Sequence, residues 1–167
     1  MDWTDGNGNF QGGDCPPGWH APTTAELTAY ATIRLTNARS NQGNAVRQDC
    51  TTYITTTPFQ SIALGSSNSY DCRDIDQINL LTRITLVNAN PTTTQPVWCS
   101  NGTVYTYTQH NQSQLMQVLE DMNTFIMTNQ STCGTIIGQI NAVPVPDTIS
   151  ADSITATVAQ IQAINWS

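Results

Sequence analysis

The sequence has no lysine, and its five basic residues are all arginine: Arg34, Arg39, Arg47, Arg73 and Arg83. Charged residues of both signs reach only 10%, and the formal net charge is −7. A nucleic-acid-binding surface replaces phosphate counterions with clustered cations, so this balance argues firmly against that class. No hydrophobic run approaches the length of a membrane-spanning helix, which argues against insertion. The Asp-, Gly- and Asn-rich opening lacks the pattern of a signal peptide. Histidine is almost absent: His20 and His110 lie far apart in the chain. Cys15, Cys50, Cys72, Cys99 and Cys133 are widely spread, and an odd count leaves at least one unpaired within the chain. Their spacing makes no knuckle and no Cys/His cluster.

These scarcities bear on chemistry. Asp71, Asp74 and Asp76 begin like a calcium loop, but no glycine turn and no distal glutamate follow. Asp74 reads instead as a helix cap, with Asp76 in the first turn. Glu120 and Asp121 have no partner acid at suitable spacing, and no serine sits in a nucleophile elbow. The expectation is a protein with no metal, no obligatory cofactor and no enzymatic role. The cysteines read as buried free thiols, which pack like small apolar groups. Cys72 with Cys99 is the pair to check, because both sit beside strands. His110, at a strand-to-helix corner, reads as a structural ring bonded to backbone.

The polar surface comes from Thr, Asn, Gln and Ser, and 38% of the residues are hydrophobic. Residues 1–22 form an arm rich in Gly, Asn and Pro, with Trp3, Phe10 and Trp19 as spaced apolar anchors. The anchors make the arm a candidate docking segment, with few contacts of its own. Cys15 to His20 also resembles, over about ten residues only, the opening of a bacterial surface domain with a lectin-like fold. Thr23 to Glu26 is a capping box. From it a helix is expected to about residue 55, with a stripe of Leu27, Tyr30, Ile33, Leu35, Ala38, Val46, Cys50 and Tyr53. Pro58 ends it.

From residue 59 the order is hairpin, helix, hairpin, helix. Phe59 to Leu64 and Asn68 to Cys72 are strand candidates around Gly65. Ile75, Ile78, Leu81 and Thr85, with Leu80, Ile84 and Val87 alongside, recur at helical spacing. Val97 to Cys99 and Thr103 to Thr108 pair around Asn101-Gly102, a strong hairpin signal. Asn111 caps the next helix, with Gln114 reaching back, and the apolar period continues to Ile140. Gly134 and Gly138 lie on one face of it, where they either allow a second helix to approach closely or weaken the last turns. Pro144 and Pro146 stop that helix, and Thr157 is expected to cap a last short one. The fold class is therefore α+β, with long amphipathic helices and two β-hairpins forming a small antiparallel sheet over residues 23–167.

This order, with these residues, resembles the C-terminal domain of bacteriophage tail-fibre proteins. The residues that carry the resemblance are Ser61-Ile62-Ala63-Leu64-Gly65, Tyr70-Asp71, Asp76-Gln77-Ile78-Asn79-Leu80-Leu81 and Val97-Trp98-Cys99, followed by Gln109-His110, Gln114 to Glu120, and Thr157 to Trp166. It covers roughly residues 45–167 and departs at 88–96 and 144–153. The resemblance implies a place, a virion tail appendage assembled in the host cytoplasm, and a homotrimer that contacts other tail or baseplate proteins. It implies no enzyme. Two roles are open: a structural fibre segment that oligomerises and docks, or a module that binds a host surface glycan. For the second role Trp98, Tyr105 and Tyr107 are the candidate glycan-binding residues, since aromatic faces stack on sugar rings. Their burial would favour the structural role, and an exposed cluster the binding one.

Overall fold

The computed structural model describes residues 3–166. The class is α+β, as expected: four helices and two small antiparallel sheets. The described residues divide into two compact units. One comprises residues up to Arg47 and from Gly134 onward, and the other comprises Gln48–Cys133.

In the first unit, strands β1 (Trp3–Thr4) and β2 (Phe10–Gln11) pair, and Thr4 bridges to His20 through two backbone hydrogen bonds of 2.8 and 2.9 Å. The turn between the strands is organised by Asp5. Its carboxylate accepts from the Asn7 and Asn9 amides and from the Asn9 side chain, and these bonds hold its pKa below the usual carboxylate range. Helix α1 (Thr24–Thr56) opens at the expected box. Glu26 N donates to Thr23 Oγ1, and Thr23 N donates to Glu26 Oε2 at 2.8 Å. Within this unit α1 buries Ala31, Leu35, Ala38 and Val46. The expected stripe is corrected here: Ile33 is 60% exposed and Tyr53, further along the helix, 40%. Leu35, Ala38, Val46 and Cys50 of the stripe are buried as expected, and Ala31, which the stripe passes over, is buried as well.

Helix α3 (Gln112–Ala142) ends in this unit with Ile140 buried, and α4 (Ala151–Gln162) buries Ile154, Thr157 and Ile161. Arg39 donates to the Val143 carbonyl at 2.7 Å and Gln42 to that of Ile164 at 2.8 Å, so α1 side chains hold the segments that flank α4. Thr157, expected from the sequence to cap α4, lies inside it instead. Ser150 caps it, accepting from Ser153 N at 3.1 Å, while Ser153 Oγ accepts from Ser150 N. Serine at the third position does the work usually given to glutamate. Nothing lies within 4 Å of a side chain built at Gly134 or Gly138, so no close helix approach uses them among the described residues.

The second unit contains a four-stranded sheet in the order β3 (Phe59–Ser61), β4 (Asn68–Tyr70), β5 (Gln95–Ser100), β6 (Tyr105–His110), antiparallel throughout. Helix α2 (Asp74–Ala89) connects β4 to β5. Phe59 pairs with Tyr70, Tyr70 with Cys99, and Cys99 with Thr106, so these four share one side. The first hairpin is shorter than its hydrophobic run, and β6 starts later than expected. Its loop takes Asn101 to Val104, with Gly102 at φ 94, a conformation that favours glycine. Leu80, Ile84 and Val87 of α2, Leu115, Val118 and Met122 of α3, and Ile54 of α1 are buried. Asn111 caps α3 as expected, accepting from Gln114 N at 3.0 Å. At α2 the cap is corrected. Arg73, not Asp74, occupies the cap position, and Asp76 accepts from the Arg73 amide.

Candidate functional site

A cleft of about 310 Å³ opens on the second unit, within the size range of small-ligand sites. Three parts of the chain build it. The β4–α2 junction supplies Asp71 and Arg73, α2 supplies Asp76, Asn79 and Arg83, and the β5–β6 hairpin supplies Trp98 and Tyr107. Phe59, Tyr70, Leu80, Val97, Val118 and Met122 complete the lining with apolar surface.

The hairpin sets the aromatic wall. Trp98 and Tyr107 are directly paired across the strands, so their side chains leave the sheet on the same side. Their ring centroids are 5.0 Å apart at 60°. Tyr105, two residues before Tyr107, lies 5.9 Å from Trp98 in a stacked arrangement. Trp98 is 40% exposed and Tyr107 63%, whereas Tyr105 is half-buried. Burial raises the Tyr105 hydroxyl pKa first, and the neighbouring Asp71 carboxylate raises it further against the opposing charge of Arg73. The structure thus brings the three candidate glycan-binding residues into one cluster. Trp98 and Tyr107 line the cleft, and Tyr105 supports Trp98 from the side.

Opposite in character is the charged wall. Arg73 Nε donates to Asp76 Oδ2 at 2.6 Å and Nη2 to Asp76 Oδ1 at 3.2 Å, a two-pronged pair. The same Nη2 reaches Asp71 Oδ2 at 3.1 Å. Asp76, then Asp71, hold the guanidinium further in its charged form. Arg83 also lines the cleft, half-buried, and makes no hydrogen bond or ion pair among the described residues. Two carboxylates and two guanidinium groups leave this wall formally neutral in a chain of net charge −7.

Beneath the aromatic wall, Tyr70 is held by His110. His110 Nδ1 lies 2.8 Å from the Thr108 carbonyl, which can only accept, so Nδ1 carries the hydrogen. Nε2 is then the acceptor, and the Tyr70 hydroxyl donates to it at 2.8 Å. Burial lowers the His110 pKa and raises that of Tyr70. His110 is thus a buried ring bonded to backbone, as the sequence led us to expect.

No family model matches the chain, and neither does any curated protein or solved structure.

The anchors of the arm are placed elsewhere. Phe10 packs on Tyr30 of α1 with centroids 4.4 Å apart, and the Trp3 indole donates to the Gly13 carbonyl at 2.6 Å. Trp19 is half-buried beside a turn closed by its own amide to Pro16. The expected segment with few contacts of its own is thus corrected: Asp5 and the Thr4–His20 bridge give it a hydrogen-bonded framework. All five cysteines are free thiols, including Cys72 and Cys99, and Cys15 alone is exposed. Among the described residues no group of three or more His, Cys, Asp or Glu is placed to hold a metal ion. No described helix is long and apolar enough to cross a membrane.

Sequence reasoning found the aromatic wall and missed the charged one. Arg73, Asp76, Leu80 and Arg83 recur every three or four residues, which puts them along one side of α2. That period was available, but the exposed isoleucines and leucines of α2 obscured it.

The arrangement can stack planar or ring faces on Trp98 and Tyr107 and exchange hydrogen bonds with Asn79, Asp71 and Asp76. Both carboxylates are committed to Arg73, which suits fixed acceptors better than proton carriers.

Proposed function

We propose that the chain is a sugar-binding module of a phage tail appendage, acting through the cleft on the second unit. The observation that carries this reading is the exposure of Trp98 and Tyr107 in a cleft that Asp71, Arg73, Asp76, Asn79 and Arg83 also line. Exposed large aromatics cost solvation free energy unless something covers them, and a sugar offers both an apolar ring face and hydroxyl groups. The place in a virion rests on the tail-fibre resemblance of residues 45–167. Partners would be other tail or baseplate proteins and copies of the same chain. A homotrimer would multiply a weak single-site affinity by presenting several clefts to one surface. Binding of the fluorescently labelled protein to an array of bacterial surface oligosaccharides tests the reading, with Trp98→Ala and Tyr107→Ala beside it. The reading expects at least one class of glycan to be retained and each substitution to weaken it by roughly tenfold or more, the equivalent of about 1.4 kcal/mol. An array with no retained glycan, or equal retention by both variants, defeats it. Light scattering reports the oligomeric state, and a monodisperse monomer removes the trimer.

A further inference from the structure

We infer that the sugar carries an oxyanion, a carboxylate or phosphate, and that Arg83 recognises it; this rests on the sugar-binding reading of the same cleft. The two arginines on the charged wall differ in one respect. Arg73 is saturated by Asp71 and Asp76, with three side-chain hydrogen bonds between 2.6 and 3.2 Å. Arg83 is half-buried at the same cleft and has no partner among the described residues. A guanidinium presents a planar fork of donors whose shape matches a carboxylate or phosphate, and partial burial strengthens that attraction over what bulk water allows.

The acidic residues of the cleft do not compete for the role. Asp71 and Asp76 are both bound to Arg73, and the nearer, Asp76, stands seven residues before Arg83 on α2. Seven residues of helix span about 10 Å, which leaves room for a short saccharide between the saturated pair and the open cation. The ring would lie on Trp98 and Tyr107 while its charged substituent meets Arg83. A neutral sugar would leave that guanidinium without a partner under the ligand. An acidic one supplies the charge complementarity that the chain withholds.

Matched probes test this. Trigalacturonate, sialyllactose and their methyl esters differ within each pair only in charge at the carboxyl, and mannose 6-phosphate with mannose forms the phosphate pair. Titration calorimetry on the full chain should show each preferred free acid or phosphate bound roughly tenfold or more tightly than its neutral counterpart. The preference should shrink in 0.5 M salt. Arg83→Gln should abolish the preference, and Arg83→Lys should restore part of it, with circular dichroism confirming that each variant is folded. Preference in the carboxylate pairs or in the phosphate pair identifies the source of the oxyanion, and both support the inference. Charged and neutral partners binding alike overturn it while leaving the sugar-binding reading intact. A preference that survives Arg83→Gln overturns the role of Arg83. Absence of binding to these probes and to the oligosaccharide array overturns the sugar-binding reading and this inference together.

Discussion

Tyr70 donates its hydroxyl hydrogen to Nε2 of His110 across 2.8 Å, and that one bond joins β4 to the end of β6 through the inside of the sheet. The Thr108 carbonyl fixes the imidazole tautomer, and the bond holds a tyrosine that lines the cleft.

Replacing Tyr70 with Phe leaves Nε2 of His110 buried without a donor. An unsatisfied buried acceptor costs about 1–3 kcal/mol. Urea unfolding of Tyr70→Phe at pH 8 should show a loss in that range, and an unchanged midpoint contradicts the bond.

The same ring sets a pH dependence. Burial lowers the His110 pKa, so below pH of about 6.5 the unfolded chain binds a proton that the folded one refuses. The contribution is complete above that pH and is lost as pH falls towards the lowered folded value. Between pH 8 and 5.5 the protein should lose more stability than a folded His110→Gln variant does. Equal losses in urea titrations at the two pH values would show that the ring is not the cause.

Thiol chemistry should separate the cysteines. Burial pushes the Cys72 thiol up to about 11, and burial together with neighbouring Cys133 pushes Cys50 to about 11. Thiolates are the reactive species, so neither reacts readily at pH 8. An aromatic disulfide reagent should label one thiol of the native chain quickly, at exposed Cys15, and all five once the chain is unfolded. Rapid native labelling of a Cys15→Ser variant would disprove this.

The N-terminal framework should contribute to stability. Phe10→Ala removes the ring that packs on Tyr30, and for a half-buried phenylalanine the cost should be about 1–2 kcal/mol. Ser150→Ala removes the α4 cap and should cost about 1 kcal/mol. Denaturant unfolding checks both. No change for Phe10→Ala would show that the contact with Tyr30 contributes nothing to stability.

Local chemistry was legible from the sequence, and non-local pairing was not. Thr23 with Glu26 and Asn111 with Gln114 act within one helical turn, so the residues that form each cap are adjacent in the text. Ser150 with Ser153 escaped because serine is an unusual third member of a capping box. The hairpin of Trp98 and Tyr107 could be read from alternation around Asn101-Gly102. The register of Tyr70 against Cys99 could not, because a whole helix separates them. The charged wall depends on that register as well, since it brings Arg73 and Asp71 to the side of the hairpin. Arg83 was visible only as one of five cations until its lack of a partner could be seen.

The threonines of the helices hold one further consequence. Thr28, Thr32, Thr55, Thr82, Thr85 and Thr132 each donate their hydroxyl to the carbonyl four residues earlier. A hydroxyl turned onto its own helix has one fewer hydrogen to offer water, and the methyl group beside it counts for more. On α2, Thr82 and Thr85 sit among Ile78, Leu81 and Leu86, all at least half exposed. That helix therefore shows solvent a drier skin than its letters suggest.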